Sequence, residues 1–352
     1  MMNPGGTLKP ASTSRWRFKP FPPASASETC WSRSKMYSGI TSEIILELIA
    51  AWLHLVFHQR KIPIAVHHSI SVNPQELIRV IKHDTGLEVY YHNLLLDGWD
   101  NLVLEVNGSL IFRFTRREDI LQQHIKELEL LPLLNRSLTI RVPNPVYHQT
   151  ETSPYYMAYK KIHGKPITGN FNRENLVEAI TLFLHELQEI DHTELEHIRR
   201  YTPDTWKQEY NELHQRVARE VYPSLEPTIC SKIDDEFTSF LETDLDFNPV
   251  ICHRDLTSDH ILELDGRITG VIDWGDSCVG DPAFDLTGLL MDFGDQVAQN
   301  IIDKLDYPAE YLVRARFYGK MAPIYETLYG LEIENEEHIK QGLEKINKAF
   351  TS

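Results

Sequence analysis

The chain has 352 residues, enough for two packed lobes that each bury a core of their own. Its 42% hydrophobic and 24% charged content is ordinary for a globular protein and argues against wholesale disorder. The net charge of -16, from 51 acidic against 35 basic side chains, repels phosphate backbones, makes nucleic acid a poor partner and attracts cations, although acidity also serves solubility alone.

The first residues, to about Lys35, are rich in Pro, Ser and Thr and carry Arg15, Arg17, Lys19 and Arg33 against a single acid, Glu28. Such a segment buries too little apolar surface to offset its ordering entropy, so disorder is expected. The composition also resembles a transit peptide, and a true start further downstream is a third reading. Ile44 to Phe57 is apolar but broken by Glu47 and His54, and falls short of the roughly 20 residues that span a bilayer. It reads as one short helix. Residues 1–70 are therefore expected to form an atypical or poorly ordered extension, and no membrane association is expected.

Regular structure starts near Ser71. Pro74 to Ile78 opens an amphipathic helix with Leu77, Ile78 and Ile81 on one face. Leu102 to Phe114 holds two β-rich runs around Asn107-Gly108, a pair suited to a type I′ hairpin turn. Glu118 to Leu134 has helical spacing, with Ile125, Leu128 and Leu131 on one side. Tyr155 to Ile162 reads as a strand or connecting segment. From Glu174 onward the pattern is mostly helical, through Leu176, Ile180, Leu184 and Leu187 and again from Tyr311 to Leu328.

Val250 to Asp273 breaks that helical pattern. His253-Arg254-Asp255 opens a polar loop, His260 follows, and Ile261-Leu262 and Val271-Ile272 flank an Asp265-Gly266 turn that ends at Asp273-Trp274-Gly275. Phosphoryl transfer passes through a loose transition state, so a protein mainly positions the partners and neutralises charge. One carboxylate must orient the acceptor hydroxyl and take its proton, and Asp255 suits that role. A second group and a second carboxylate must hold Mg²⁺ against a triphosphate, and His260 and Asp273 suit those roles. His253 reads as loop support, and Asp281 and Asp285 as braces. His253 and His260 lack a third partner at the fixed spacing of a zinc site. The cysteines Cys30, Cys230, Cys252 and Cys278 form no C-x-x-C pair, which points away from disulfides or thiolate metal sites and toward a reducing cytosol.

This layout resembles the kinase superfamily, specifically its aminoglycoside phosphotransferase branch. Ser258 to Leu262 and Gly270 to Leu286 look close to the aminoglycoside 2''-phosphotransferases, and macrolide kinases share the histidine at 260. The resemblance runs from about Leu87 to Asn347. It implies an α+β, bilobal protein-kinase-like fold: a small β-sheet N-lobe over 71–160 and a larger, mainly helical C-lobe over 161–352. It also implies ATP or GTP as phosphate donor with Mg²⁺. Asp97 to Asn101 resembles the family's phosphate-side turn, placing the Gly98 backbone and Asn101 over the phosphates, although a full G-x-G-x-x-G loop is absent. Arg113 matches the position of the kinase lysine, a departure because the two cations are not interchangeable. Glu127 matches its carboxylate partner; a surface ion pair is the plainer reading. The backbone around Ala158 to Lys160 matches the hinge that meets the purine. Acceptor residues in this family come from the C-terminal helices, where Asp276, Asp292 and Glu326 are candidates for a cationic substrate, although any one acid there is more often just a solvated face.

The resemblance thus implies a cytoplasmic small-molecule kinase, a monomer or weak dimer, acting on an aminoglycoside-like amine, with antibiotic resistance as the attendant role. Kinases of macrolides, amino alcohols, sugars or homoserine remain open, as does a nucleotide-binding pseudokinase. A protein kinase fits less well, because Asp281-Pro282 follows Asp273 with no room for an activation segment.

Overall fold

The structure, a computed structural model, describes residues 73–95 and 100–351. The extension over 1–70, its expected helix and Gly98 lie outside the described residues.

Helix α1 (Pro74–Thr85) is set by local chemistry. The Asn73 side chain accepts from the Gln75 N–H, Pro74 occupies the first turn, and Gly86 closes the helix in the left-handed conformation. Five strands follow as an antiparallel sheet in the order β1-β2-β3-β5-β4. They are β1 (His92–Leu95), β2 (Asn101–Val106), β3 (Leu110–Thr115), β4 (Pro145–Gln149) and β5 (Tyr156–Lys160). Asn107 and Gly108, at φ 53° and 67°, make the tight turn between β2 and β3.

Strand alternation divides this sheet into two working faces. Leu102, Leu104, Phe112, Phe114, Tyr156 and Ala158 pack with Leu77, Ile78 and Ile81 of α1 in one core. A fully buried side chain of this size contributes about 1.5–3 kcal/mol. The other face presents Val103, Ile111, Arg113, Met157 and Tyr159, paired in register as Val103–Arg113, Arg113–Met157 and Ile111–Tyr159. Helix α2 (Leu121–Ser137) crosses between β3 and β4. Its second half buries Leu130, Leu131 and Leu134 in the larger core, but its first half buries the polar His124, Lys126 and Glu127.

The larger lobe is helical. It contains α3 (Arg173–Gln188), α4 (Pro203–Glu220), α5 (Pro227–Glu242), α6 (Leu286–Phe293), α7 (Asp295–Leu305), α8 (Glu310–Glu332) and α9 (Glu336–Thr351). Two small β elements sit among them. β8 (Ile261–Leu264) and β9 (Arg267–Val271) form a hairpin flanked by β6 (Lys165–Pro166), and β7 (Val250–Cys252) pairs with β10 (Cys278–Gly280). The Asp265-Gly266 turn is the tight one, with both residues at positive φ. A small antiparallel-sheet lobe beside a larger helical lobe is the bilobal α+β architecture expected from sequence. Among the described residues, no helix is long and apolar enough to cross a membrane.

Candidate active site

The polar loop after β7 is built by its neighbours. The buried carboxylate of Asp285 accepts the backbone N–H groups of His253 and Arg254, both at 2.8 Å. His253 donates from Nε2 to the Ile272 carbonyl at 2.9 Å and accepts the Asp255 N–H at Nδ1, 3.2 Å away. One imidazole thus joins the backbone at Asp255 to the residue before Asp273. Burial, with the neighbouring His260 charge, pushes it down to about 4, so it stays neutral and keeps this tautomer. Arg254 and Asp273 both adopt positive φ, 69° and 66°, a conformation that costs a non-glycine residue on the order of 1 kcal/mol.

From Asp255 a continuous run of polar contacts crosses the cleft. His260 Nδ1 lies 2.8 Å from the Asp255 carbonyl and 3.1 Å from its Oδ2, and His260 Nε2 is 3.7 Å from Asp273 Oδ2. Arg113 Nη2 donates to Asp273 Oδ1 at 3.2 Å, and Arg113 Nη1 reaches both oxygens of Glu127 at 2.8 Å. Arg113 and Glu127 are buried, with side chains 6% and 0% exposed, so this is an interior pair rather than a surface one. Burial opposes the Arg113 charge, but Glu127 and Asp273 hold it protonated. Burial also opposes the Asp273 carboxylate, which Arg113 and His260 nevertheless hold below its ordinary range. At His260 burial favours the neutral ring, yet the hydrogen bond and charge of Asp255 raise it to about 9.

Beside this run lies a cavity of about 340 Å³. Leu95, Val103, Ile111 and Tyr159 line it from the sheet, Leu262 and Ile272 from the other lobe, and Arg113 and Asp273 close its polar end. Its rim toward the lobe connection is Tyr159, Lys161 and Ile162. Ala158, by contrast, is paired on both sides within the sheet, with Phe112 and Tyr147, and Lys160 is exposed at the strand end. Asn101, 6% exposed, begins β2, and its Oδ1 takes the Nε2 of buried His124 at 2.8 Å.

The acceptor-side candidates are scattered. Asp276 has Arg254 and Lys126 as neighbouring cations. Asp292 accepts the Ser258 N–H at 2.7 Å, fastening α6 to the loop after Asp255. Glu326 faces a different groove, with Met291 and Gly319, and is bound by Lys345 at 2.7 Å. Asp281 is a buried brace, gripped by Arg314 Nε and Nη2 at 2.6 and 3.0 Å and by the Tyr318 hydroxyl at 2.6 Å. Sequence reasoning missed His124 and Lys126, and named Tyr159 only within the backbone segment Ala158 to Lys160. The signal was available in α2, where positions 124 and 127 share the face turned to Arg113, a spacing normally filled by apolar residues.

Residues 93–319, more than half of the chain, match the model of the phosphotransferase enzyme family APH. The chain belongs to that family. Its members transfer phosphate to hydroxyl groups, so this is a small-molecule kinase. The uncharacterized protein YcbJ of Bacillus subtilis (strain 168) is 24% identical over 323 residues, covering 78% of this chain and 98% of the relative. Viomycin phosphotransferase of Streptomyces vinaceus is 23% identical over 296 residues, with the same coverage of 78% and 98%. Among solved structures, the GDP and kanamycin complex of APH(2")-IIia superposes with a TM-score of 0.73 at 22% identity, over 78% of this chain and 98% of that one. At that identity the likeness speaks for the fold.

Whether the residues fit Mg²⁺ can be judged from the donors. Among the described residues, no group of three or more His, Cys, Asp or Glu side chains could cage a metal. Mg²⁺ commonly binds through one or two carboxylates, with phosphate oxygens and water completing its shell. The Asp273 carboxylate at the polar end of the cavity fits a cation that brings most of its ligands with the nucleotide.

Proposed function

We propose that this enzyme moves the γ-phosphate of ATP or GTP onto a hydroxyl of a small cationic acceptor of the aminoglycoside kind. One observation carries the reading: Asp255, His260, Asp273, Arg113 and Glu127 form an unbroken run of contacts beside an apolar cavity of about 340 Å³. The apolar slot suits a purine, with Tyr159, Lys161 and Ile162 at its rim. Residues 71–160 would then form the nucleotide lobe, and 161–352 the lobe with the catalytic loop and acceptor site.

Each role follows from the chemistry of the side chain. Asp255, whose side chain is about half exposed, orients the acceptor hydroxyl and takes its proton. Arg113 presents a fork of donors to phosphate oxygens while Glu127 fixes its direction. Asn101, with Oδ1 engaged by His124, has its amide N–H₂ available to the phosphates. Mg²⁺, held by Asp273 and by His260 once its proton has left, would neutralise charge on the transferring phosphate. The free cysteines Cys230, Cys252 and Cys278 suit a cytoplasmic setting.

A less charged acceptor is the second reading, and one observation favours it. Arg254 stands next to Asp255 over Phe284, 5.0 Å from the ring centroid, while Asp276 and Glu326 already have cationic neighbours. A polycation would find few unpaired acids there. The deciding experiment is nucleoside diphosphate release by the purified protein with ATP and GTP against aminoglycosides, macrolides, sugars and amino alcohols. Turnover confined to neutral or zwitterionic acceptors would overturn the first reading, and no turnover with any acceptor would overturn both.

A further inference from the structure

Beside Glu127, helix α2 buries a second charge that the roles above leave unused. Lys126 is 8% exposed, and burial pulls its ammonium group toward the neutral form. An ammonium so placed is normally matched by a carboxylate. Its hydrogen bonds go to two backbone carbonyls, Gly275 O at 2.5 Å and Ser277 O at 2.8 Å, with the Asp276 carboxylate of the same turn supplying the neighbouring charge. Both belong to the turn that directly follows Asp273.

That turn needs holding. Asp273 occupies the left-handed region at φ 66°, where a residue with a Cβ stays only if its surroundings fix it. The turn's own bonds are few: the Ser277 N–H and hydroxyl both go to the Trp274 carbonyl, at 3.2 and 2.7 Å, and the Gly275 N–H supports the Asp273 carboxylate. Gly275 lies so close to α2 that a Cβ there would come within 2.9 Å of Gln123 Oε1. The helix that carries Glu127 therefore also carries the clamp on the Asp273 turn. Arg113 is fixed from one side of α2 and Asp273 from the other.

We propose that Lys126 is a positioning residue for Asp273: by gathering the Gly275 and Ser277 carbonyls it presets the carboxylate that serves the cation and its nucleotide. This rests on the reading of Asp273 given above, but the hold on the turn is measurable without it. Partners that orient a metal ligand typically change metal affinity or activity about 10- to 100-fold when removed. Lys126 acts only through the Asp273 turn, so its loss should reach the cation-dependent part of binding and spare the rest.

The test uses the full chain with Lys126→Met and Lys126→Gln, the latter keeping one short donor. Hydrogen exchange of segment 273–277 is read in nucleotide-free protein, and ADP and GDP affinities are read by calorimetry with Mg²⁺ and in EDTA. In Lys126→Met, exchange at 273–277 should rise at least about tenfold while helix α3 is unchanged. The Mg²⁺-dependent affinity should fall about 10-fold or more, and affinity in EDTA should stay within about threefold. Lys126→Gln should fall between that variant and the wild type, and it carries the test if Lys126→Met does not fold. Unchanged exchange at 273–277 in the folded variants overturns the proposal, as does a parallel loss of affinity with and without Mg²⁺. Wild-type protein that gains nothing from Mg²⁺ would instead refute the metal role of Asp273, leaving the exchange arm to decide whether Lys126 holds the turn.

Discussion

Removing Glu127 isolates a buried cation, and the structure fixes what that should cost. In Glu127→Ala, Arg113 loses both 2.8 Å contacts and keeps only Asp273 at 3.2 Å. Breaking a buried pair by deleting one partner costs about 3–5 kcal/mol, chiefly from the charge left behind. Asp273, half exposed and already bonded to Arg113, takes up part of that charge, so about 3 kcal/mol is expected. Glu127→Gln keeps one acceptor and should cost about 1.5 kcal/mol. The paired variant Arg113→Met with Glu127→Leu leaves no fully buried charge unpaired, since half-exposed Asp273 keeps His260. It should be less destabilised than Glu127→Ala alone, with a coupling energy of about 2 kcal/mol. Urea unfolding of these proteins, with Arg113→Met and Glu127→Leu as the single variants that complete the cycle, measures this directly at neutral pH and fixed salt. Additive single costs, or costs under about 0.5 kcal/mol such as surface pairs give, would refute an interior Arg113–Glu127 pair.

Three further outcomes are expected. Asp255→Asn should lower kcat about 10²- to 10⁴-fold while nucleotide affinity by calorimetry changes little, because only the hydroxyl's proton acceptor is lost; turnover equal to wild type would remove Asp255 from that role. Gly288→Ala should lower kcat and cost about 1–3 kcal/mol in urea unfolding, since a Cβ there would meet the Leu256 carbonyl at 2.4 Å and push the loop carrying Asp255; a fully active variant would show that the loop is not wedged against α6. Burial, with the Arg113 charge, pushes His124 down to about 3, so from pH 6.5 toward 3 the unfolded chain binds the extra proton and stability falls with pH. Between pH 6.5 and 5 this one group should account for up to about 2 kcal/mol, a slope that His124→Gln removes in urea unfolding at the two pH values.

Local signals made much of the fold readable in advance. Asn107-Gly108 and Asp265-Gly266 announce their turns because few other pairs adopt positive φ twice in succession, and both turns are there. The α1 stripe of Leu77, Ile78 and Ile81 and the α3 stripe from Leu176 to Leu187 follow from helical period alone. The loops holding Asp255 and Asp273 could be named because their spacing brackets a hairpin. The environment of each charge could not. Glu127 and a surface glutamate look the same in one dimension, and only the 160-residue separation between Arg113 and Asp273, closed in space to 3.2 Å, makes its surroundings interior.

The polar half of α2 shows why that part stayed hidden. Helical period assigns the stripe through Ile125, Leu128 and Leu131 to the core, and by that logic the adjacent Lys126 and Glu127 should be solvated. The structure buries both, because α2 is packed on two sides, by the sheet carrying Arg113 and by the turn after Asp273. A helix packed between a sheet and a turn that both carry charge buries polar positions on those sides, so polarity no longer reports exposure. Burying charges there costs stability that apolar side chains would not cost. That expense is explicable if the helix must set the directions of Arg113 and Asp273 at once, since a hydrophobic contact constrains position but not the orientation of a carboxylate or a guanidinium. On this argument, replacing the buried charges with apolar side chains of similar volume should cost catalysis far more than it costs folding.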